Sequence, residues 1–274
     1  MAKDASPRET GQRVDDLGAQ LSGALEAREF FLVYQPAIDL QTGAFAGVEA
    51  LLRWRHATRG VLAPEDFLVD LAASDQVAAV GRWTLETACR QGALWHRKGY
   101  RFSVSVNIAP RQFARSEFVD EVAGALETSR FNPSLLVLEF SQRTLTDGDT
   151  DTTPRLARLV SLGVRIAVDD FDLGRSSLDD LANLFVTTVK VSRDSIASVV
   201  DAAKGAQNLH KLVALARASG VQVIASGVED SAQRELLASE HVDQGQGFLF
   251  SRPYGVDEID RSLQDFALFS GKPL

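Results

Sequence analysis

The feature that most constrains this chain is a succession of short apolar segments, each separated from the next by enough residues for a helix. The segments are "FSVSVN" (102–107), "LLVLEF" (135–140), "VRIAVDD" (164–170), "VTTVKVS" (186–192), "VQVIAS" (221–226) and the residues before "GFLF" (247–250). They are rich in β-branched residues and bounded by turn formers, the pattern of buried strands. Helical periodicity occupies the intervals 111–127, 153–162, 176–183, 194–219 and 231–239, and a last helix runs from Val256 to about Phe269. Each interval can carry a crossover between parallel strands. Upstream, Phe30–Gln35 and Phe45–Trp54 read as two strands joined through "DLQTG", a hairpin-length link that predicts an antiparallel pair. A helical stretch from Pro64 to Arg97, broken near Ala73–Gln76, follows the hairpin, and Val14–Ala27 carries Leu17, Leu21 and Leu25 at helical spacing.

Six to eight strand–helix units within 274 residues predict an α/β fold, a modified (β/α)8 TIM-type barrel with one antiparallel strand. An open doubly wound sheet is the main alternative. Residues 1–11 read as a disordered leader and 12–270 as a single barrel domain. The formal net charge of −8 disfavours a duplex nucleic-acid binder. Cys89 is the only cysteine, so no intramolecular disulfide can form, which fits a reducing, cytoplasmic setting. "MAKDASPRETGQR" has no apolar core of a secretory signal, and no apolar run approaches the length of a membrane span. His56, His96, His210 and His241 show no paired metal-ligand spacing, which argues against zinc.

Polar residues gather where these strands end. Asn107 ends one segment, Glu139 lies near the end of the next, and Asp169 and Asp170 end the third. Lys190 sits in "TVKVS", Ser226 closes "VIAS", Glu229 follows it, and Gln246 precedes "GFLF". Glu49 lies in "GVEALLRW", with Arg53 beyond it. Taken singly, Asp170 reads as a helix cap, Asn107 as a turn residue and Lys190 as a snorkelling strand end. Taken together they converge, because the C-terminal strand ends of a barrel share one face. Three carboxylates and an amide oxygen form a hard-oxygen set suited to Mg²⁺, Mn²⁺ or Ca²⁺. With Lys190 and Arg53 added, the set suits a phosphoester held by a divalent ion.

"YQPAIDLQTGAFAGVEALLRWRH" resembles the signature segment of the EAL domain family, cyclic di-GMP phosphodiesterases and the degenerate receptors derived from them. The resemblance continues in order through "SVNIAPRQF", "LEFSQ", "AVDDFDLGRSSLDDL", "VKVS", "ASGVE" and "QGFLFSRP", over roughly residues 15–268. It implies a modified barrel with an antiparallel strand. It implies Glu49, Asn107, Glu139 and Asp169 as ligands of Mg²⁺ or Mn²⁺, Asp170 as support for a second ion, and Lys190 as the residue holding the attacking water. It places Gln35, Leu51 and Arg53 on the dinucleotide, Arg53 at a phosphate, and makes Glu229 and Gln246 site positions. It further implies a possible homodimer through helices beside the loop after Asp170; a protein partner is left unidentified.

The departures from the family pattern are concentrated. Ser226 stands where "AEGVE" carries the glutamate assigned as general base and second-metal ligand. "DDFDLGRSSL" puts Asp172, Leu173 and Arg175 where the family segment "DDFGTGYSSL" has Gly, Thr and Tyr; Gln142, Ser192 and Ala109 are further replacements. A serine hydroxyl without help is no general base near neutral pH. The expectation is a degenerate domain that binds cyclic di-GMP as a receptor, with weaker or single-site metal occupancy and little or no hydrolysis. The alternatives are a metal-dependent phosphodiesterase giving linear pGpG, and a protein-interaction scaffold without nucleotide binding.

Overall fold

A computed structural model describes residues 20–147, 150–172, 181, 184–201 and 203–270. Its centre is a closed eight-stranded barrel with one further strand attached. β1 (Phe30–Asp39) runs antiparallel to both of its neighbours, β2 (Phe45–His56) and β9 (Gln244–Gln246). The remaining neighbours are parallel, from β2 through β4 (Ser103–Asn107), β5 (Leu136–Ser141), β6 (Arg165–Phe171), β7 (Val186–Val191) and β8 (Gln222–Ser226) to β9. Pairing of β1 with both β2 and β9 closes the ring, which rules out the open sheet. The extra strand, β3 (Gly60–Leu62), pairs antiparallel with the end of β2. At three residues it is too short to carry a periodic signal, and it was not expected.

The hairpin closes as its composition requires. Asp39 Oδ1 accepts the backbone N–H groups of Gln41 and Thr42 at 3.0 and 2.7 Å, and Gly43 takes φ +71°. A side chain capping its own turn is what Asp offers, and Gly reaches positive φ without strain. β1 continues past Gln35 to Asp39, with a register irregularity at Ala37/Ile38.

β5 reads "LVLEFS" and is buried at every position except Ser141. Parallel strands covered on both faces tolerate little else, so Glu139, 2 % exposed, needs partners inside the fold. A second, smaller core sits over the hairpin, where Trp54 lies 5.6 Å from Phe30 and 5.7 Å from Phe67 between ring centroids. Phe67 and Leu71 thereby seat the helix Pro64–Ala73 beside the barrel mouth.

Two expected helices are each divided. The interval 111–127 holds Pro110–Phe113 and Phe118–Ser129 with a turn between them. The interval 194–219 holds Arg193–Asp201 and Ala203–Ala218. There Gly205 allows a close approach: a Cβ on it would stand 2.6 Å from the Ser198 carbonyl oxygen. The leader, residues 14–19 of the first helical stretch, Leu173, Arg175 and nearly all of the expected helix 176–183 lie outside the described residues. Among the described residues no helix is long and apolar enough to cross a membrane.

Candidate functional site

Strand register brings the polar residues to one end of the barrel. Gln35 pairs with Glu49, Asn107 with Glu139, Ser141 with Asp169, and Ser226 with Gln246. Lys190 lies beside Ile224 on the neighbouring strand. Residues far apart in sequence therefore meet because the sheet closes, and the expected convergence occurs.

Lys190 is the hub. Its Nζ donates to Glu139 Oε2 at 2.6 Å and to Glu49 Oε2 at 2.8 Å, and stands 3.6 Å from Asp169 Oδ1. Glu49 Oε1 accepts Asn107 Nδ2 at 2.6 Å, and Glu49 Oε2 also accepts Gln246 Nε2 at 2.9 Å. Gln246 Nε2 reaches Gln35 Oε1 at 3.1 Å, and Gln35 Nε2 donates to the Ser251 carbonyl at 3.1 Å. Buried charges are tolerated when paired and hydrogen-bonded in this way. Lys190 is thus a buried ion-pair centre, 3 % exposed, and does not snorkel into solvent.

Asp169 and Asp170 are neighbours, and a regular strand would send them to opposite faces. The β6–β7 register shifts between Val168 and Phe171, and Asp170 takes φ +54°. That irregularity is a bulge with a left-handed residue, a conformation Asp tolerates better than most. It lets both carboxylates line the same mouth. Ser226 sits at the end of β8, and its Oγ is buried without a hydrogen-bond partner among the described residues. Gly227 follows at φ +72°, and a Cβ there would collide with the Arg193 side chain. Arg193, over Gly227, forms an ion pair with Glu229 at the rim.

Two connected hollows share Glu49, Asp169 and Asp170. One is a polar chamber of about 210 Å³ that includes Lys190, Arg193, Ser226 and Gln246. The other is an apolar arm of about 450 Å³, walled by Leu51, Leu52, Leu68, Leu71 and Val80. An apolar cleft with a few convergent polar groups is the usual form of a small-ligand site. Arg53 lies on the Glu49 and Leu51 face of β2, where alternation puts odd-numbered residues. It is half-buried, donates to the Leu52 carbonyl at 2.8 Å, and lines neither hollow. Arg193, Phe248 and the helix Pro64–Ala73 also belong to the mouth, although the sequence reading did not single them out. The signal for Arg193 was available: it lies three residues past Lys190, at the first helical position after β7.

Burial dominates the electrostatics. It pushes the Glu139 carboxyl up to about 8; Lys190 opposes the shift, while Glu49 and Asp169 reinforce it. Burial also acts to raise Glu49, but the Lys190 charge and the bonds from Lys190, Gln246 and Asn107 outweigh it and hold that carboxyl below its ordinary range. For Lys190, burial favours the neutral amine, yet Glu139, Glu49 and Asp169 together hold the ammonium well above the ordinary lysine range. Asp170 is raised by burial and by Asp169. Burial lowers Arg53 from its ordinary value, against the pull of Glu65 and Glu49.

The donor chemistry fits a hard divalent ion: three carboxylates and an amide on adjacent strands, with no sulfur or imidazole among them. Among the described residues, no three His, Cys, Asp or Glu side chains converge on a common metal position. The cation these carboxylates share is the Lys190 ammonium.

A mixed barrel with an acidic, oxygen-only mouth around a buried lysine and an apolar arm beside it defines a barrel built to hold a small polar ligand. The chain belongs to the EAL domain family, whose description matches residues 19–253. It is 36 % identical over 245 residues to MucR of Pseudomonas aeruginosa, a bifunctional diguanylate cyclase/cyclic di-GMP phosphodiesterase, covering 89 % of this chain and 36 % of that protein. It is 34 % identical over 256 residues to the cyclic di-GMP phosphodiesterase NbdA of the same organism, covering 93 % of this chain and 33 % of that protein. The structure of the PaMucR phosphodiesterase in its c-di-GMP complex superposes with a TM-score of 0.84 at 35 % identity, covering 89 % of this chain and 99 % of that one. The chain thus spans only about a third of the length of the curated relatives it matches.

Proposed function

We propose that this domain binds cyclic di-GMP at the barrel mouth and acts as a receptor with little or no hydrolysis. The observation that carries the reading is Ser226. Its hydroxyl is buried, bonded to nothing among the described residues, and occupies the place where the family resemblance puts the catalytic glutamate. A hydroxyl brings no charge to a divalent ion, and it takes up a proton from water only weakly. The residues that the family resemblance puts on the ligand and the metal are present around it and support the reading: Glu49, Asn107, Glu139, Asp169, Gln35 and Gln246. The relatives named above are a cyclic di-GMP phosphodiesterase and a bifunctional protein with that activity, and a similar solved structure holds c-di-GMP.

Glu49, Asn107, Glu139 and Asp169 would hold Mg²⁺ or Mn²⁺, with Asp170 beside them. When bound, such an ion supplies Lewis-acid polarisation of a phosphate oxygen. Asn107 would turn its carbonyl oxygen inward, and Lys190 would withdraw from at least one carboxylate. Leu51 and the apolar arm would cover the flat faces of the ligand. Arg53 would turn from the Leu52 carbonyl to a phosphate, where its paired donors match two oxygens. Without a charged base at position 226, water would be held but not deprotonated.

A phosphodiesterase giving linear pGpG is the second reading. It is favoured by the intact Lys190–Glu49–Glu139 core and by Asp170, whose raised carboxyl sits beside Ser226 in the same chamber. Calorimetric titration with cyclic di-GMP, with and without Mg²⁺ or Mn²⁺, followed by chromatography for pGpG, separates the two. Binding without product supports the receptor, rapid product formation replaces it with the enzyme, and no binding removes both. The homodimer and the protein partner belong to the same proposal, and sedimentation with and without cyclic di-GMP tests the dimer.

A further inference from the structure

We propose that Arg111 is a positioning residue for the ligand: it clamps the corner between the helices Pro64–Ala73 and Val77–Arg97, fixes the wall of the apolar arm, and so sets affinity without touching the ligand. This rests on the reading that the ligand enters the arm.

The wall has an end that its own residues leave open. The last four carbonyls of a helix lack intrahelical donors. At the end of Pro64–Ala73, the Ser74 N–H donates to the Asp70 and Leu71 carbonyls at 3.0 and 3.1 Å, and Ser74 Oγ donates to the Leu71 carbonyl at 2.8 Å. The carbonyls of Ala72 and Ala73 remain, with that of Ser74 beyond them. Arg111 Nη1 is shared among all three, at 3.3, 2.7 and 3.1 Å. The last turn has no basic residue of its own and carries Asp70, so the guanidinium brings a cation to the negative end of the helix. Arg111 Nη2 also donates to Asp75 Oδ1 at 3.3 Å, but Asp75 is 96 % exposed and such an ion pair contributes little. The carbonyl bonds are the clamp.

The clamp stands on a rigid base. Arg111 lies in the short helix Pro110–Phe113, which the chain enters from Asn107 at the end of β4. Between them, the Ile108 N–H donates to the Glu139 carbonyl at 2.9 Å and ties the segment to β5. Gln112 is buried against Gly81, where a Cβ would collide with its amide. The Phe113 ring centroid lies 4.9 Å from that of Phe140 and 5.8 Å from that of Phe118. The backbone around Arg111 is therefore held to the barrel, and its side chain holds the corner to that backbone.

The corner shapes the arm. Leu68, Leu71 and Ala72 line it from the first helix, and Val77 and Val80 from the second. Phe67 and Leu71 seat the middle of the first helix in the smaller core, but Ala72 and Ala73 bring only methyl groups to its end, and neither is buried. Pro110 and Gln112 line the arm as well, whereas Arg111 between them does not and reaches instead to the helix end. A wall already in place costs less to order when a ligand arrives, and a residue remote from the ligand contributes affinity in that way.

The test is calorimetric titration of the intact chain and its variants with cyclic di-GMP in Mg²⁺ buffer, beside titration with Mn²⁺ in the absence of nucleotide. Arg111→Met keeps an apolar stem and removes the donors. Its affinity for cyclic di-GMP should fall roughly tenfold, the scale of a lost hydrogen bond to a charged group. Its affinity for Mn²⁺ should not change, since the arm takes no part in holding the ion. Arg111→Lys still brings a cation and N–H donors to the carbonyls and should recover most of the loss. Asp75→Asn should bind as the unmodified chain does. Should Arg111→Met fail to fold, Arg111→Gln, shorter and uncharged, is held to the same expectation. If the unmodified chain binds cyclic di-GMP and a folded variant without the guanidinium binds it equally, the clamp is overturned and the receptor reading stands. A parallel loss of Mn²⁺ affinity, an equal loss in Asp75→Asn, or no recovery in Arg111→Lys also overturns the clamp alone. If the unmodified chain binds no cyclic di-GMP, both are overturned.

Discussion

On the β2–β6 side of the barrel mouth, Glu49, Asn107 and Glu139 are joined to Lys190 and Gln246 by bonds of 2.6 to 2.9 Å. Across the mouth, at the end of β8, Ser226 presents a buried oxygen that bonds to nothing among the described residues. Both regions lie on strand ends of one barrel, and each has a buried polar centre, Glu139 and Lys190 in the first and Ser226 Oγ in the second. They differ in how completely their polar groups are answered. A buried network that is fully paired holds its geometry, whereas an unpartnered hydroxyl costs desolvation without return. The first region is organised around charge. The second carries no charge at Ser226, and on the proposed receptor reading that is the corner where a catalytic carboxylate would stand.

The largest expected effect comes from refilling that corner. Ser226→Glu should raise the rate of pGpG formation by about 10²–10⁴, the usual contribution of a positioned base. Chromatography of product with time, in Mg²⁺ and in chelator, reads it. A robust rate in the unmodified protein that Ser226→Glu leaves unchanged would show that the two sides are not functionally different.

Removing the hub tests the other side. Lys190→Met leaves Glu49 and Glu139 buried without their cation, and loss of one partner from a buried pair costs about 3–5 kcal/mol. Urea unfolding in chelator should show that loss. The same variant should bind Mn²⁺ more tightly, because the competing ammonium is gone. Weaker Mn²⁺ binding by Lys190→Met would mean that the lysine supports the ion and does not stand in its place.

A smaller effect concerns pH. The Glu139 carboxyl is raised from 4.5 to about 8 in the folded protein. Between those values the folded chain holds a proton that the unfolded chain releases, so metal-free stability should fall as pH rises through that window. Glu139→Gln should flatten this dependence in unfolding midpoints measured from pH 5 to 8. An unchanged slope would assign it to another group.

The smallest effect belongs to Ser226→Ala, which removes the orphan hydroxyl. An unsatisfied buried polar atom costs about 1–3 kcal/mol, so the variant should match or exceed the unmodified protein by about 1 kcal/mol, seen as a melting temperature a few degrees higher. A marked loss would show that the hydroxyl has a partner in solution.

Much of the site was legible because strand ends are a local property. Asn107, Glu139, Asp169, Lys190 and Gln246 could be assigned to one face once their strands were recognised, and register confirms that placement. Both aspartates reach the mouth only through the bulge after Val168, a local kink that the apolar pattern does not encode. Arg193 and Phe248 looked ordinary in sequence, one a helix-start cation and the other part of an apolar tetrad. Their standing depends on Gly227 and Gly247 allowing close approach to residues from other elements. The division of 194–219 into two helices is not legible in the sequence for a similar reason, since Gly205 matters through its close approach to Ser198.

The sequence by itself determined the barrel, the antiparallel entry of β1 and the acidic character of the mouth. Periodicity, hairpin length and strand-end residues act over a few positions, so they survive without knowledge of the rest. Tertiary structure alone decided which charges meet. Lys190 bonds Glu49 across 141 positions, and Gln246 bonds the same carboxylate across 197. Ring closure makes those distances short. Burial at the centre of the ring then sets which carboxyl keeps its proton, and it leaves Ser226 Oγ without a partner among the described residues.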